Sequence, residues 1–526
     1  MGFTMTASGS AQAGRKERPS SRPVARRRLL QAAVVLLLLA LLVALFYAEE
    51  NWRGRRDWER YRANLAARKI DFNWHRLAPP SVPDRDNFAA TPFLAALFDF
   101  APGTHTPRDL AAYNRTAGFA QNGEPYLEIR HPEQALLTVV PGEKTDLLPA
   151  LRFLSRPTGR SATSTAPQSL PLERSAQAAA LLAALQQYRP VLDELRLAGR
   201  RPSARFDLDY NADTPWNVSQ PHLPLLKRVG MVLGLRALAE LNLQDPQAAA
   251  DDLDLLISVA NSLSAEPFES SYWTRLEILD VGRQVLWEGL ADHRWSDGQL
   301  SRFQARLAAI DLLGAASKPL FLARAHGEFL FSAIHKRPVI VAQWRFGPGL
   351  GNALLPLVLH RMPTGWMYLE HLAFQCRIDD SILRGFDPQA RRVRPKAIDQ
   401  AGDNHWPLLR HRLLSGRLLD SQVELARAAA LAQTRLDQAM IACALERHRL
   451  AHSALPPTLD ALVPQYLDSL PSDLITTAPL KYRRATDGSF LLYSLGWNEQ
   501  DDGGKAVLAP GSKRLDPAQG DWVWPK

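Results

Sequence analysis

Residues 29–47 read LLQAAVVLLLLALLVALFY, a run of 19 residues in which Gln31 is the only strongly polar side chain. At a rise of about 1.5 Å per residue, a helix of this length spans the roughly 30 Å hydrocarbon core of a bilayer. No later stretch of the chain reaches 18 uncharged apolar residues. The sequence therefore predicts one transmembrane helix, with everything from about residue 50 onward on one side of the membrane.

The positive charge of the chain is concentrated before this run. The whole chain has 63 Lys and Arg residues against 54 Asp and Glu residues, a formal net charge of +9. Residues 1–28 hold seven of the basic residues and one of the acidic ones, so the other 498 residues have a net charge of only +3. A nearly neutral body does not indicate a nucleic-acid partner. Residues 1–28 also lack apolar bulk, which predicts a disordered tail.

The basic residues around the apolar run predict its orientation. Within about 15 residues on each side, seven Lys or Arg residues precede the run and five follow it. This slight bias favours a cytoplasmic N-terminus and an extracytoplasmic, periplasmic body at the inner membrane. A cleaved signal peptide is the competing interpretation, but the run is longer than a usual signal-peptide core and no small-x-small pair ends it.

Helical patterns dominate the chain from about residue 173 to residue 450. Asp245 and Pro246 suit the cap and the first position of a helix, and they predict a hairpin of helices over 225–243 and 246–263. Ser296 and Gln299 have the spacing of a capping box. Further helices are predicted over 271–291, 297–312, 317–335, 364–384 and 419–450. We expect a mainly α protein with an irregular bundle or solenoid-like body.

The end of the chain has a different pattern. After the long helix come a short helix at about 459–463 and two strand candidates, 480–484 and 490–495. The turn sequence Ala-Thr-Asp-Gly at 485–488 joins the two strands into a predicted hairpin. We therefore expect a small α+β module made of a long helix and an antiparallel sheet.

Four stretches of this module, ALERHRLAHSALPPTLDALVP, LKYRRATDGSFLLYSLG, DDGG and GDWVWP, follow one another in residues 435–526. With them the module resembles the C-terminal half of the major (G-type) pseudopilin of type II secretion. In that family the hydrophobic helix directly precedes the module, whereas here it lies almost 400 residues upstream and lacks a prepilin-type cleavage motif. The resemblance thus implies a pseudopilin-like tail on another body, and a link to a secretion or pilus-like system. The whole chain, including FAATPFLAALFD at 88–99, resembles uncharacterised membrane-anchored bacterial envelope proteins.

These patterns divide the chain into five parts. The predicted parts are a disordered basic cytoplasmic tail (1–28), a transmembrane helix (29–47), a juxtamembrane helix with a Pro-rich stalk and a small irregular or β segment (48–172), a helical domain (173–434) and the pseudopilin-like α+β module (435–526).

The resemblance also implies a calcium site, because pseudopilins of this type bind calcium in the corresponding loop. Calcium binds several carboxylate and carbonyl oxygens, and this loop and the closing segment offer Asn498, Asp501, Asp502 and Asp521. A solvated turn is the alternative, since acidic residues and Gly favour turns in any case. No other cofactor is predicted.

Other groups of reactive side chains are interpreted as structural. His448 and His452 lie four residues apart with Glu446 nearby, a spacing that suits a metal, but the order is not that of HExxH. Whether Cys376 and Cys443 pair stays open. One further set shares a predicted helix and has no nucleophile motif beside it: Arg324, His326, Glu328 and His335.

Three classes of function remain open on this reasoning. The first is a non-catalytic, membrane-anchored envelope protein that binds other envelope proteins. The second is an anchored hydrolase with an unrecognised site in the helical body, and the third is a module whose helical groove binds a peptide or a small molecule. The first is favoured because the recognisable module is an assembly module. The sequence does not indicate an oligomeric state.

Overall fold

The computed structural model describes residues 22–68, 70, 72–121, 140, 142–154, 173–336, 361–402 and 414–525. Within these residues the protein is mostly helical, with small sheets near its C-terminal end, so the predicted mainly α class is confirmed. Most of the predicted tail and most of the β-like residues 125–142 lie outside the described residues.

The helices are, in chain order, α1 (Arg22–Ala67), α2 (Pro92–Ala95), α3 (Leu110–Gln121), α4 (Leu148–Leu154), α5 (Arg174–Leu185), α6 (Arg189–Ala198), α7 (His222–Asn242), α8 (Pro246–Asn261), α9 (Glu269–Ala291), α10 (Asp297–Ala308), α11 (Leu312–Lys336), α12 (Thr364–Arg377), α13 (Pro395–Gly402) and α14 (Ser415–His452). The strands are β1 (Phe386–Asp387), β2 (Arg392–Val393), β3 (Lys481–Arg484), β4 (Phe490–Ser494), β5 (Ala506–Leu508), β6 (Leu515–Gly520) and β7 (Trp522–Val523).

Helix α1 joins the apolar run to the body without a break. It is the one helix among the described residues that is long and apolar enough to cross a membrane. Its apolar side chains from Leu29 to Phe46 are exposed, as expected of a surface that faces lipid. The part of α1 that follows this run packs against α12.

Local capping signals set the start of helices in the body. Asp245 accepts a hydrogen bond from the backbone N–H of Ala248 at 3.1 Å, and Pro246 takes the first position of α8. Ser296 and Gln299 form the predicted capping box at α10. Both predictions are confirmed. A cap joins residues only three or four positions apart, so the residues that form it can be recognised in the sequence.

One predicted helix, 297–312, is wrong at its end. Helix α10 stops at Ala308 and α11 begins at Leu312. The Asp311 carboxylate accepts a hydrogen bond from the backbone N–H of Gly314 at 2.8 Å. This cap starts α11 at Leu312, within the stretch that the apolar pattern assigns to the end of the preceding helix. Likewise, the predicted helix 364–384 ends as an α-helix at Arg377 and continues as a π-helix over Ile378–Leu383.

A buried ionic cluster ties α6, α7 and α8 together. The Asp252 carboxylate is fully buried and accepts hydrogen bonds from Arg236 at 2.9 Å and from Arg196. Arg236 also pairs with Glu240 at 3.1 Å. Removing one member of such a cluster leaves an uncompensated buried charge, which costs about 3–5 kcal/mol.

Helix α14 connects the helical body to the C-terminal module. Its first half places Leu425 and Ala429 in one apolar core, and its second half places Leu436 and Leu445 in the other. The predicted division between residues 434 and 435 falls inside this helix. The module therefore shares its core with the body.

The C-terminal sheet has the order β3-β4-β7, and both strand pairs are antiparallel. The predicted hairpin is confirmed, with Lys481 opposite Tyr493 and Arg484 opposite Phe490. A separate two-stranded ribbon pairs β5 with β6. The Nε2 of Gln438 on α14 donates to the carbonyl oxygen of Trp522 at 2.6 Å, which fastens the last strand to the long helix.

Candidate functional site

The four predicted calcium ligands lie together in the turn after β4 and beside β7. The Nδ2 of Asn498 donates to Asp502 at 2.8 Å. The buried Asp521 carboxylate accepts hydrogen bonds from the backbone N–H groups of Gly504 at 2.6 Å and of Asp502 at 3.3 Å. Burial raises the pKa of Asp521, and the charges of Asp502 and Asp501 raise it further, against the hydrogen bonds that it accepts.

These oxygen donors have the chemistry that calcium requires, but each already has hydrogen-bond partners in the turn or beside it. The Asp501 carboxylate accepts from the backbone N–H of Gly503 and from the hydroxyl of Tyr493, both at 3.0 Å. No group of three or more His, Cys, Asp or Glu side chains in the described part of the chain is arranged to hold a metal ion. Calcium binding stays a prediction.

The two C-terminal histidines lie in packing contacts at the end of α14. Their ring centroids are 4.3 Å apart, and the Nε2 of His452 lies 3.3 Å from the hydroxyl oxygen of Tyr466. The Glu446 carboxylate lies 2.9 Å from the Nδ1 of His293 and pairs with Arg449 at 2.7 Å. These contacts agree with the structural interpretation of the three residues.

Two glycines bring α1 and α12 into backbone contact. A Cβ added to Gly54 would lie 2.6 Å from the carbonyl carbon of Gly365, so only glycine fits at this crossing. Polar contacts surround it. The Oδ1 of Asn51 accepts from the N–H of Gly365 at 2.8 Å, and Glu50 accepts from the indole N–H of Trp366 at 2.7 Å. Helix α1 is thus docked directly on the body.

Arg324, one of the residues singled out in the sequence, lies farther along the junction between α1 and α12. Its guanidinium pairs with Asp379 at 3.1 Å, and the hydroxyl of Tyr61 on α1 donates to Asp379 at 2.9 Å. Burial, with the Asp379 charge and hydrogen bond adding to it, raises the pKa of Tyr61. The contact ties α1 to α11 and to the π-helix that continues α12.

A buried histidine completes the junction. The His371 ring is stacked between Trp58 of α1, at 3.8 Å between centroids, and Phe331 of α11, at 4.9 Å. Burial, with a smaller contribution from Arg62, lowers the pKa of His371 to about 3, so the ring is neutral. Glu328 lies 3.5 Å from its Nε2, and burial raises the pKa of that carboxyl.

No local pattern in the sequence predicts this cluster as a unit. Tyr61, Arg324 and His371 are separated by tens to hundreds of residues, so no spacing relates them. His326 points elsewhere, against Trp216 at 4.4 Å between ring centroids. The side chain of His335 lies outside the described residues.

Both cysteines are free thiols. Cys443 is buried in the core, and Cys376 is partly buried beside the junction. Burial raises the thiol pKa of both residues, that of Cys376 to about 11. They are therefore not a disulfide pair, and neither is an activated nucleophile.

A cleft that no motif indicated opens at the start of α11. Its volume is about 870 Å³, and its walls come from the stalk, the loop after α6, and helices α8 to α11. Arg201, Arg275 and Lys318 line it. Because these residues come from separate elements, the sequence contains no local signal for the cleft.

No protein-family model, curated protein or solved structure matches this chain. The pseudopilin-like character of residues 435–526 therefore remains a prediction that is based on their motifs.

Proposed function

We propose that this protein is a single-pass protein of the inner membrane, with a cytoplasmic N-terminus and an extracytoplasmic body, that binds other envelope proteins and does not act by catalysis. The basic residues before the apolar run support the orientation. The pseudopilin-like motifs of residues 435–526 support a link to a secretion or pilus-like assembly.

The docking of α1 on the body supports a role as a scaffold. The helix is continuous from the apolar run to Ala67, and it contacts α12 backbone to backbone at Gly54 and Gly365. A body held in this way has a fixed orientation to the membrane rather than a freely swinging one. Such an arrangement presents one surface to neighbouring envelope proteins.

The strongest support for the proposal comes from the outer edge of strand β3. In the described part of the chain, β3 pairs only with β4, and most of its side chains are exposed. Along an antiparallel strand, residues alternate between hydrogen bonding to the neighbouring strand and facing away from it. The N–H of Ala485 donates to the carbonyl of Ser489 at 2.8 Å, and this bond shows which residues of β3 bond to β4. By that alternation the backbone groups of Tyr482 and Arg484 face outward, where an added strand would pair with them.

The charge of this edge defines its partner. Lys481 and Arg483 are exposed, and basic side chains on an edge strand oppose pairing between two copies of the same strand. They favour an extended segment with acidic side chains. The partner is therefore an acidic strand or peptide of another envelope protein.

Affinity capture of the full-length anchored protein from crosslinked membranes tests this proposal. We expect recovery of an envelope partner with the wild-type chain, and its loss with Arg483→Glu, which reverses the charge at the centre of the edge. Lys505→Glu is the matched control because Lys505 is exposed in the same module outside β3. Circular dichroism of each variant checks that it is folded.

Failure to recover any envelope partner with the wild-type chain would contradict the proposal. Equal recovery with Arg483→Glu and Lys505→Glu would show that β3 is not the binding edge.

A further inference from the structure

The cleft at the start of α11 contains more positive charge than its own acidic groups neutralise. Two of its cations, Arg302 and Arg306, share Asp254, at 3.0 Å and 4.0 Å. Asp311, the acidic residue of the lining, accepts the backbone N–H of Gly314. The charge of Asp311 also acts on Arg275, where it opposes the lowering of the pKa by burial, but Arg275, Arg201 and Lys318 form no salt bridge within the described residues.

Three cations of the lining are bonded to neutral oxygens. Arg201 donates to a backbone carbonyl, that of Asn87, at 2.8 Å. Arg275 donates to the side-chain oxygen of Asn261 at 2.9 Å. Lys318 donates to the carbonyls of Ala265 at 3.1 Å and Ser264 at 3.3 Å. Among the described residues, none of the three forms a salt bridge, so their charges are not compensated at short range.

Of the three cations, Arg275 is the one that most needs a further partner for its charge and its hydrogen-bond donors. Its side chain is only 3% exposed, and its buried Nε has no hydrogen-bond partner within the described residues. A buried donor without a partner costs free energy, and a buried guanidinium costs more. Burial lowers the pKa of Arg275 and that of Lys318, whose pKa the charge of Arg275 lowers further. The fold thus holds two neighbouring cations where an anion would stabilise both.

We propose that this cleft binds a soluble organic anion with two or more carboxylate or phosphate groups, held by Arg201, Arg275 and Lys318. A volume of about 870 Å³ is that of a small-molecule site. Neutral hydrogen-bonding groups complete the lining and suit the uncharged oxygens of such a ligand: Ser203, Ser258, Ser262, Ser264 and Asn261.

The position of the cleft excludes a phospholipid of the anchoring membrane as this ligand. Helices α1 and α11 run antiparallel: Trp58 and Glu328 contact the same residue, His371, whereas Tyr61, later in α1, and Arg324, earlier in α11, both contact Asp379. Lys318, beyond Arg324, is then level with the end of α1, about 30 Å from the end of the apolar run at a rise of about 1.5 Å per residue. A lipid headgroup does not reach that far, so the ligand is a soluble molecule.

Isothermal titration of the full-length protein in detergent at low ionic strength tests the site. Citrate and inorganic pyrophosphate serve as probes and distinguish carboxylate from phosphate recognition. We expect at least one to bind at one site per chain, with affinity that falls as salt is raised. Arg201→Gln and Lys318→Gln should each weaken binding by about 10- to 100-fold, the value of a charge-assisted hydrogen bond.

Arg200→Gln is the matched control because Arg200 is an exposed neighbour of Arg201 that does not line the cleft. It should leave the affinity unchanged. The proposal is overturned if neither probe binds, if Arg200→Gln weakens binding as much as Arg201→Gln, or if an oligoglutamate peptide binds and both small anions do not. Thermal melting of each variant without ligand confirms that it is folded.

Discussion

The crossing of α1 and α12 at two glycines makes the attachment of the body to its anchor sensitive to one methyl group. A Cβ on Gly54 would lie 2.6 Å from the carbonyl carbon of Gly365 and 2.7 Å from its Cα. Both of these atoms belong to the backbone, so no side chain can rotate away. We expect Gly54→Ala to force the two helices apart.

The distances give the size of the effect. Carbon atoms in ordinary contact lie about 3.5 Å apart, so the helices must separate by about 1 Å. Three hydrogen bonds cross the contact: Asn51 accepts from Gly365 at 2.8 Å and from Thr364 at 3.0 Å, and Glu50 accepts from Trp366 at 2.7 Å. A separation of about 1 Å takes all three beyond hydrogen-bonding distance. At about 1 kcal/mol each, docking loses about 3 kcal/mol, the upper end of the usual cost of overpacking.

Amide hydrogen exchange of α12 in the detergent-solubilised chain measures this loss. If local opening of the junction controls exchange, Gly54→Ala should speed exchange of residues 364–377 by about 100-fold. Gly365→Ala should do the same, and the double variant should cost less than the sum because the first methyl already separates the helices. Gly298→Ala is the control, since a Cβ there meets nothing within 4 Å.

Equal exchange of residues 364–377 in Gly54→Ala and in Gly298→Ala would show that the added methyl does not separate α1 from α12. Strict additivity of the two single variants would also contradict the prediction, because it would mean that the two methyls do not act on the same contact.

Three further predictions follow from the buried and titratable groups. Since burial lowers the pKa of His371 to about 3, the contribution of His371 to the free energy of unfolding should be constant above the ordinary histidine pKa of about 6.5 and fall by about 1.4 kcal/mol per pH unit below it. Urea unfolding at pH 7 and pH 4 should show this slope in the wild type and lose it in His371→Phe; an equal slope in both contradicts the assignment. If calcium binds, a chelator should lower the melting temperature of the wild type but not that of Asp501→Ala, and no shift in the wild type removes the site. Because Cys443 is buried and Cys376 is partly exposed, a thiol reagent should label Cys376 slowly and Cys443 only after unfolding, whereas rapid labelling of both in the native chain would contradict their packing.

The elements that the sequence predicts correctly depend on near neighbours. The cap at Asp245 and the capping box at Ser296 are decided by residues three positions away, and the hairpin of β3 and β4 is decided by its turn. The break between α10 and α11 is predicted four residues too late, because the apolar pattern continues past Ala308. Asp311 was the available signal, since an acidic side chain three residues before Gly314 is a cap.

The candidate sites also differ in whether near neighbours or distant residues bring their side chains together. The predicted calcium ligands are brought together because three of them lie within five residues of one another in a single turn. Arg201, Arg275 and Lys318 come from a loop and two helices, and only the packing of α8 to α11 puts them in one cleft. His371 and Trp58 are separated by more than 300 residues, so their stacking depends on the return of α12 to α1.

Local patterns in the sequence predict an apolar helix able to span a membrane, a mainly helical body and a short C-terminal hairpin. Each of these follows from hydrophobic period or from caps and turns, whose physics acts over a few residues. The tertiary packing, by contrast, docks α1 on the body, gives the C-terminal module a core in common with that body, and brings Arg201, Arg275 and Lys318 to one cleft. These features depend on which helices pack together, and that choice is made by the burial of whole surfaces rather than by any local pattern.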